Sequence, residues 1–348
     1  MAQQSDTLLT RILAMRNDTE KVNQLYRQGF ALRNTDPALA FYYANLCEEQ
    51  AHVSGSKKHL AKSYNLLGVL FYKKGDFTSS LAYHQKALGI RIAGKDVNGI
   101  ALSHTNLGNI YTDLQLFEKA ESSYLKALGT FRENGDEKRA ANCLINLGVL
   151  KQTLKQNDAA FENYVLALKL AEKINDYEMP SLCLNNMAQV FFDKGNYEKS
   201  VAYNEDALKM RILMENNLEA ADSYLNLAAN YIKLKKTEKA LANLDTAYRI
   251  STHYDYYEAQ QMAFKIYSEY YSELKNYEKA YYWLKKYEHS KDSIMSEQSA
   301  RESEFDFNVP ETNGHAYAPE QNLHNLWLLI STLILLIFVP LFLIRYKR

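Results

Sequence analysis

The chain repeats itself every 40 residues, and the columns that return are columns of small side chains. One register reads Gly68, Gly108, Gly148, Ala188, Ala228, Ser268; a second reads Ala40, Ser80, Ala120, Ala160, Ser200, Ala240, Ala280; a third reads Cys47, Ala87, Ala127, Ala167, Ala207, Ala247. Small residues held in three registers mean that backbones approach closely at the same three places in every copy. Such a chain folds as a stack of one supersecondary unit, because a single copy cannot bury its own apolar face.

The unit reads most clearly between Asp96 and Asn134. Leu107, Tyr111 and Leu114 recur at helical spacing, a short turn follows at Gln115 and Leu116, and Ala120, Tyr124, Ala127 and Leu128 mark a second helix. A connection this short makes the two helices antiparallel neighbours. The column Ser56, Asp96, Asp136, Asp176, Asn216 holds only good N-cap residues, so it sets the start of each first helix. The column Phe71, Tyr111, Lys151, Phe191, Tyr231, Tyr271 is aromatic with one polar exception. With 5 Pro, 13 Gly and no alternating runs, the fold class is all-α.

Written as spacings, His104 to Tyr111 is H-x2-L-G-x2-Y and Ala120 to Leu128 is A-x3-Y-x2-A-L. This resembles the tetratricopeptide repeat. The resemblance implies an α-solenoid of antiparallel helix pairs over residues 19–295. A degenerate first unit opens its second helix at Asp36-Pro37, and full units start near Ser56, Asp96, Asp136, Asp176, Asn216 and Tyr256. The period of 40 exceeds the roughly 34 of the standard repeat, and no Pro closes the second helix. The excess goes either into longer helices or into wider links.

Outside the array the chain changes character. Residues 1–18 carry Leu8, Leu9, Ile12, Leu13 and Met15 and read as a short amphipathic helix, not a signal peptide; Ala2-Gln3-Gln4-Ser5-Asp6 reads like the residues left after signal cleavage. Residues 296–325 form an acidic linker broken by Pro310, Asn313-Gly314 and Pro319. Leu326 to Ile344 is nineteen residues without a charge, fifteen of them Leu, Ile, Val or Phe. At about 1.5 Å per residue it spans roughly 28 Å, close to a bilayer's hydrocarbon core. Those side chains favour insertion by about 4 to 9 kcal/mol, of which Ser331, Thr332 and Pro340 take back a few. Residues 345–348 add Arg345, Lys347 and Arg348, and the positive-inside rule puts this tail in the cytoplasm and the array on the outer face. A cytosolic, tail-anchored array is the alternative.

Lys plus Arg and Asp plus Glu both number 41, so the chain lacks the basic bias of a nucleic-acid binder. Cys143 and Cys183 share a column with Ser63, Ser103, Ser223 and Ala263, and Cys47 lies in the Ala127 column, so all three read as small packing residues. His84 and His104 likewise occupy packing columns. No phosphate loop, metal spacing or nucleophile motif is present, so neither catalysis nor a cofactor or metal is expected.

What remains is a surface. The resemblance implies that first helices line a concave groove and that positions flanking the Leu-Gly pair face it. Those positions hold Asn65, Asn106, Asn109, Asn142, Asn146, Gln152, Asn185, Asn186, Gln189 and Asn226. A carboxamide both donates and accepts, so a ladder of them can pair with an extended peptide or protein segment; equally, the column Asn106, Asn146, Asn186, Asn226 can bridge helices within the array. Carboxylate-gripping relatives use Lys and Arg beside Asn, and only Lys62 and Lys265 stand near such places. The last unit is crowded with aromatics, among them Tyr254, Tyr257, Tyr277, Tyr281, Tyr282 and Trp283, a patch suited to a partner or to a second copy in a homodimer. The arrangement resembles the sensor half of bacterial tetratricopeptide membrane regulators, including a short Lys291-Asp292-Ser293-Ile294 join, but the sequence ends four residues after the apolar segment, without a kinase or DNA-binding domain. The expected function is a membrane-anchored sensor or scaffold; the alternative is a cytosolic adaptor for complex assembly.

Overall fold

Helix ends, more than helix interiors, set this architecture. In the structure, a computed structural model that describes residues 9–16 and 18–291, a residue with positive φ recurs at every twentieth position: Gly55, Gly75, Lys95, Gln115, Gly135, Lys155, Asn175, Gly195, Glu215, Lys235, Asp255 and Lys275. Each closes a helix in the left-handed conformation. Except after Gly55, the next residue's N–H reaches back to a carbonyl of the last turn, as in Asp76 to Phe71 (3.0 Å), Asp96 to Arg91 (2.9 Å) and Leu116 to Tyr111 (2.8 Å). This is the Schellman stop, which satisfies the orphan carbonyls of the last turn.

The residue that completes the stop then starts the next helix. Asp36, Asp76, Asp96, Asp136, Asn196 and Asn216 each accept a backbone N–H three residues on, and Asp176 accepts from Glu178 and Met179. Ser56 departs from the expected N-cap column: its hydroxyl bonds His59 Nδ1 at 2.8 Å and caps no backbone N–H. The histidine ring, one turn into the helix, competes for the serine hydroxyl.

The described helices are a short α1 (9–13), then α2 (Thr19–Leu32), α3 (Pro37–Val53), α4 (Lys57–Lys74), α5 (Phe77–Ala93), α6 (Val97–Asp113), α7 (Phe117–Glu133), α8 (Glu137–Thr153), α9 (Asn157–Lys173), α10 (Met179–Asp193), α11 (Tyr197–Leu213), α12 (Asn217–Lys233), α13 (Thr237–His253), α14 (Tyr257–Glu273) and α15 (277–291). The standard helix has 17 residues, as in α5 through α9, and three residues link it to the next. The 40-residue period therefore lengthens the helices and leaves the links tight. Among the described residues there is no strand, and no helix is long and apolar enough to cross a membrane. The expected linker and the apolar segment from Leu326 to Ile344 lie outside the described residues.

Each even-numbered helix pairs with the odd-numbered one after it, and that helix packs on the next unit. Even-numbered helices also touch across units, α2 with α4, α4 with α6, α6 with α8, α8 with α10 and α12 with α14, whereas successive odd-numbered helices make no comparable contact. The stack is tighter on its even side, and a row packed closely on one side curves toward that side.

Hairpin closure follows the small-residue columns. A Cβ added at Gly68 would stand 2.6 Å from His84 Nε2, and one at Gly108 would stand 2.5 Å from Tyr124 Cε1. Across the same hairpin the Ser80 hydroxyl donates to the Gly68 carbonyl at 2.7 Å. Ala40, Ala120, Ala160, Ala167, Ala207 and Ala247 are fully buried, as the columns require.

Candidate functional site

All ten carboxamides expected to face the groove lie on even-numbered helices, the tight side of the stack. Most are committed to one another. Asn106 Nδ2 donates to Asn65 Oδ1 at 3.0 Å, Asn146 Nδ2 to Asn109 Oδ1 at 3.2 Å, and Asn226 Nδ2 to Asn185 Oδ1 at 2.9 Å. These bonds join successive even-numbered helices, so three members of the Asn106 column bridge units. Tyr124 supports the second bridge by donating to Asn109 Oδ1 at 2.8 Å; burial pushes its hydroxyl up to about 12, so it remains a protonated donor.

Asn186 breaks the pattern. The two places its neighbours use on the preceding helix hold Ile145 and Val149, neither of which can accept a hydrogen bond. Asn186 accordingly makes no side-chain hydrogen bond among the described residues, nor does the exposed Asn142. Beside them Val149 and Leu182 are 44% and 40% exposed. At this one step, between α8 and α10, the even face combines unengaged carboxamides with solvent-facing aliphatic side chains.

The rim of the same patch is ordered by a carboxylate. Asp193 Oδ2 accepts from Gln152 Nε2 at 2.7 Å and its Oδ1 accepts from Gln189 Nε2 at 2.9 Å, while Tyr164 donates to Gln152 Oε1 at 3.2 Å. Gln189 thus has its amide nitrogen engaged, while its carbonyl oxygen makes no hydrogen bond among the described residues. Asp113, at the same register 80 residues earlier, has a comparable role and accepts from Tyr72 at 2.5 Å. Val149, Leu182, Asp113 and Asp193 were absent from the sequence-based site, although their places in the 40-residue register mark them as even-face positions.

His84 behaves as a packing residue, whereas His104 is only partly buried and its Nδ1 finds no hydrogen-bond partner among the described residues. His84 is buried against Gly68, and burial together with the Arg91 charge depresses it to about 4. Among the described residues no group of His, Cys, Asp or Glu could hold a metal ion. The three cysteines are buried and free, and burial pushes the Cys47 and Cys183 thiols up to about 12.

The geometry defines a class, the helical-hairpin repeat proteins whose inner helix row forms a continuous face. Models of the tetratricopeptide repeat match residues 60–93, 99–173 and 180–253, and the chain belongs to that family. No curated protein matches the sequence. Solved structures share the fold. The apo form of RapI aligns with TM-score 0.64 at 15% identity over 79% of this chain and 99% of its own. A signal transduction ATPase with a tetratricopeptide repeat sensor, from Pyrococcus horikoshii, aligns with TM-score 0.64 at 18% identity over 80% of this chain and 44% of its own. NprR in complex with its cognate peptide NprX aligns with TM-score 0.58 at 16% identity over 96% of this chain and 94% of its own.

Proposed function

We propose that this chain is a non-enzymatic receptor or scaffold that binds an extended peptide, or an extended segment of a protein, on its even-numbered helices. The observation that carries the reading is the step between α8 and α10, where Asn142 and Asn186 are unengaged beside exposed Val149 and Leu182. Carboxamides pair with a ligand's backbone whatever its side chains, and the aliphatic pair supplies a shallow apolar seat for one of them. NprR, a fold neighbour, was solved with a peptide. The segment Leu326 to Ile344 tethers the array to a bilayer, and the basic tail after it puts the array on the outer face, where a sensor half would sample external peptides.

A displayed library of random heptapeptides, panned on the full chain, supplies the probe. Asn186→Ala with Leu182→Ser should weaken an enriched peptide at least about tenfold with helicity unchanged. Equal affinity in that variant, or failure of any peptide to enrich, rejects the groove reading. Asn106→Ala belongs to a different class: it removes a bridge between units and should lower the melting temperature. Protease added to intact cells tests the tether, since complete protection of the array would exclude an outer-face position.

A further inference from the structure

One edge of the array is made by the links that lead from an odd-numbered helix to the next even-numbered one, each centred on a left-handed residue: Gly55, Lys95, Gly135, Asn175, Glu215 or Asp255. Neighbouring links touch along this edge. Asn134 donates to Asn98 at 2.9 Å, Asn217 donates to the Tyr254 hydroxyl at 2.8 Å, Lys138 pairs with Asp176 at 2.9 Å, and Lys173 pairs with Glu137. Several of the charges in the middle of the edge, Asp136, Glu137, Lys138, Arg139, Lys173 and Asp176, are thus paired inside the chain.

The two ends of the edge are different. At one end Lys57, Lys58 and Lys95 are exposed and form no ion pair among the described residues, beside exposed Val53, Ile92 and Val97. At the other end Glu215, Asp255 and Glu258 are exposed and equally unpaired, beside exposed Ile212, Leu218 and Tyr257 and a Leu213 that is 83% exposed. One end is basic and apolar, the other acidic and apolar.

We propose that this edge is a homodimer interface in which two copies meet edge to edge and run in opposite directions. The positions carry their own symmetry. Gly135 and Asn175, Lys95 and Glu215, and Gly55 and Asp255 lie at equal numbers of links from the midpoint of the edge. A two-fold axis at that midpoint sets Lys95 of each copy against Glu215 of the other, and the Lys57–Lys58 pair against Asp255 and Glu258. The apolar residues of each end then meet those of the opposite end. Such a contact is isologous, so it closes at two copies. Buried aliphatic area supplies affinity while the charges fix register. Parallel alignment of two copies would oppose Lys95 to Lys95 and Glu215 to Glu215, which repels. None of these end residues belongs to the Asn142, Val149, Leu182 and Asn186 patch, so the proposal stands or falls apart from the peptide reading.

Full-length chain in mild detergent allows the test. The native cysteines are buried, so Lys95→Cys and Glu215→Cys each add one reactive thiol. A short bis-maleimide should give a covalent dimer when the two variants are mixed, and none with either alone. Charge reversal gives an independent readout by sedimentation: Lys95→Glu or Glu215→Lys should each weaken association at least about tenfold, and both changes in one chain should restore it, with helicity constant throughout. A parent chain that stays monomeric at every concentration overturns the proposal. So does a dimer indifferent to the single reversals, or a mixture that yields no 95-to-215 product.

Discussion

A single missing methyl group decides how closely each hairpin closes. Gly68, Gly108 and Gly148 lie against the rings of His84, Tyr124 and Tyr164, and where the partner's place holds the smaller Asn204 or Leu244 the column holds Ala188 or Ala228. The two positions vary together in volume. Gly108→Ala should therefore cost about 1–3 kcal/mol by overpacking, and adding Tyr124→Leu should recover some of that loss, so that the double variant is more stable than the sum of the singles allows. Thermal unfolding followed by circular dichroism measures the coupling; strict additivity would mean that ring and glycine do not touch. Lys151, the polar exception in an aromatic column, is compensated in the same way. Its ammonium pairs with Glu121 at 2.6 Å, whereas Tyr111, Phe191, Tyr231 and Tyr271 each lie under a lysine eight residues on, and the place eight residues after Lys151 holds Ala159. His84 carries a pH dependence with a definite sign. Its folded form is depressed to about 4 from an ordinary 6.5, so the unfolded chain binds the proton first as pH falls. Stability is then fully present above about 6.5 and is lost as pH drops toward 4, by on the order of 1–3 kcal/mol. His84→Tyr, which copies the Tyr124 and Tyr164 hairpins, should flatten the melting temperature over that window, and an unchanged slope would assign the acid sensitivity to other groups.

At the scale of the element, the same stop–start device recurs twenty residues apart, and it was only partly legible in advance. The columns of small residues gave the helices and their pairing because a methyl group too many is intolerable at those contacts. The turns were harder to read. Gly55, Gly75, Gly135 and Gly195, and more weakly Asn175 and Asp255, announce a left-handed residue, while Lys95, Gln115, Lys155, Glu215, Lys235 and Lys275 adopt the same conformation at a cost that the two flanking helices override. The device predicts unequal outcomes for opposite substitutions. Gly75→Ala should destabilise by about 1 kcal/mol, because a Cβ is strained at its φ of 81°. Lys155→Gly relieves a comparable strain but loosens the unfolded chain, so it should change stability by no more than about 0.5 kcal/mol. A large loss in Lys155→Gly would mean that its side chain makes a contact the turn depends on. The carboxamide ladder was legible to the same limited extent. The register put Asn65, Asn106, Asn146 and Asn226 on the inner helices, but which asparagines are consumed by bridging depends on what the preceding helix offers. Ile145 and Val149 free Asn186, and that is a property of pairs one unit apart.

Over the whole molecule, the array is divided by a buried polar seam. One apolar cluster has members from Ala101 to Val190 and another from Leu208 to Tyr270. Between them Asn204 and Arg211 are buried, and the Arg211 guanidinium donates to the Ser223 hydroxyl at 2.7 Å and the Glu219 carbonyl at 2.9 Å and pairs with the Glu219 carboxylate at 3.3 Å. Arg91 makes the same contacts three units earlier, to Ser103 at 2.7 Å and the Gly99 carbonyl at 3.1 Å. In the units between, those two positions hold Phe131 with Cys143 and Ala171 with Cys183, so over these four units serine accompanies the arginine and cysteine accompanies the apolar residue. In a stack where each unit touches only its neighbours, cooperativity across the array is set by its weakest interface. Arg211→Ala leaves buried acceptors without their donor and should remove on the order of 3 kcal/mol from this one interface. Trp283 stacks on Tyr267 with centroids 4.3 Å apart and so reports the second cluster. In a Trp327→Phe background, urea unfolding followed by Trp283 fluorescence and by circular dichroism should coincide in the parent. In Arg211→Ala the fluorescence midpoint should fall below the dichroism midpoint, as the C-terminal units melt ahead of the rest. Replacing Arg211 and Ser223 together by Phe and Cys, which transplants the Phe131–Cys143 pair into the seam, should bring the two curves back together, and separate curves there would mean that the arginine holds the array together by more than filling its slot.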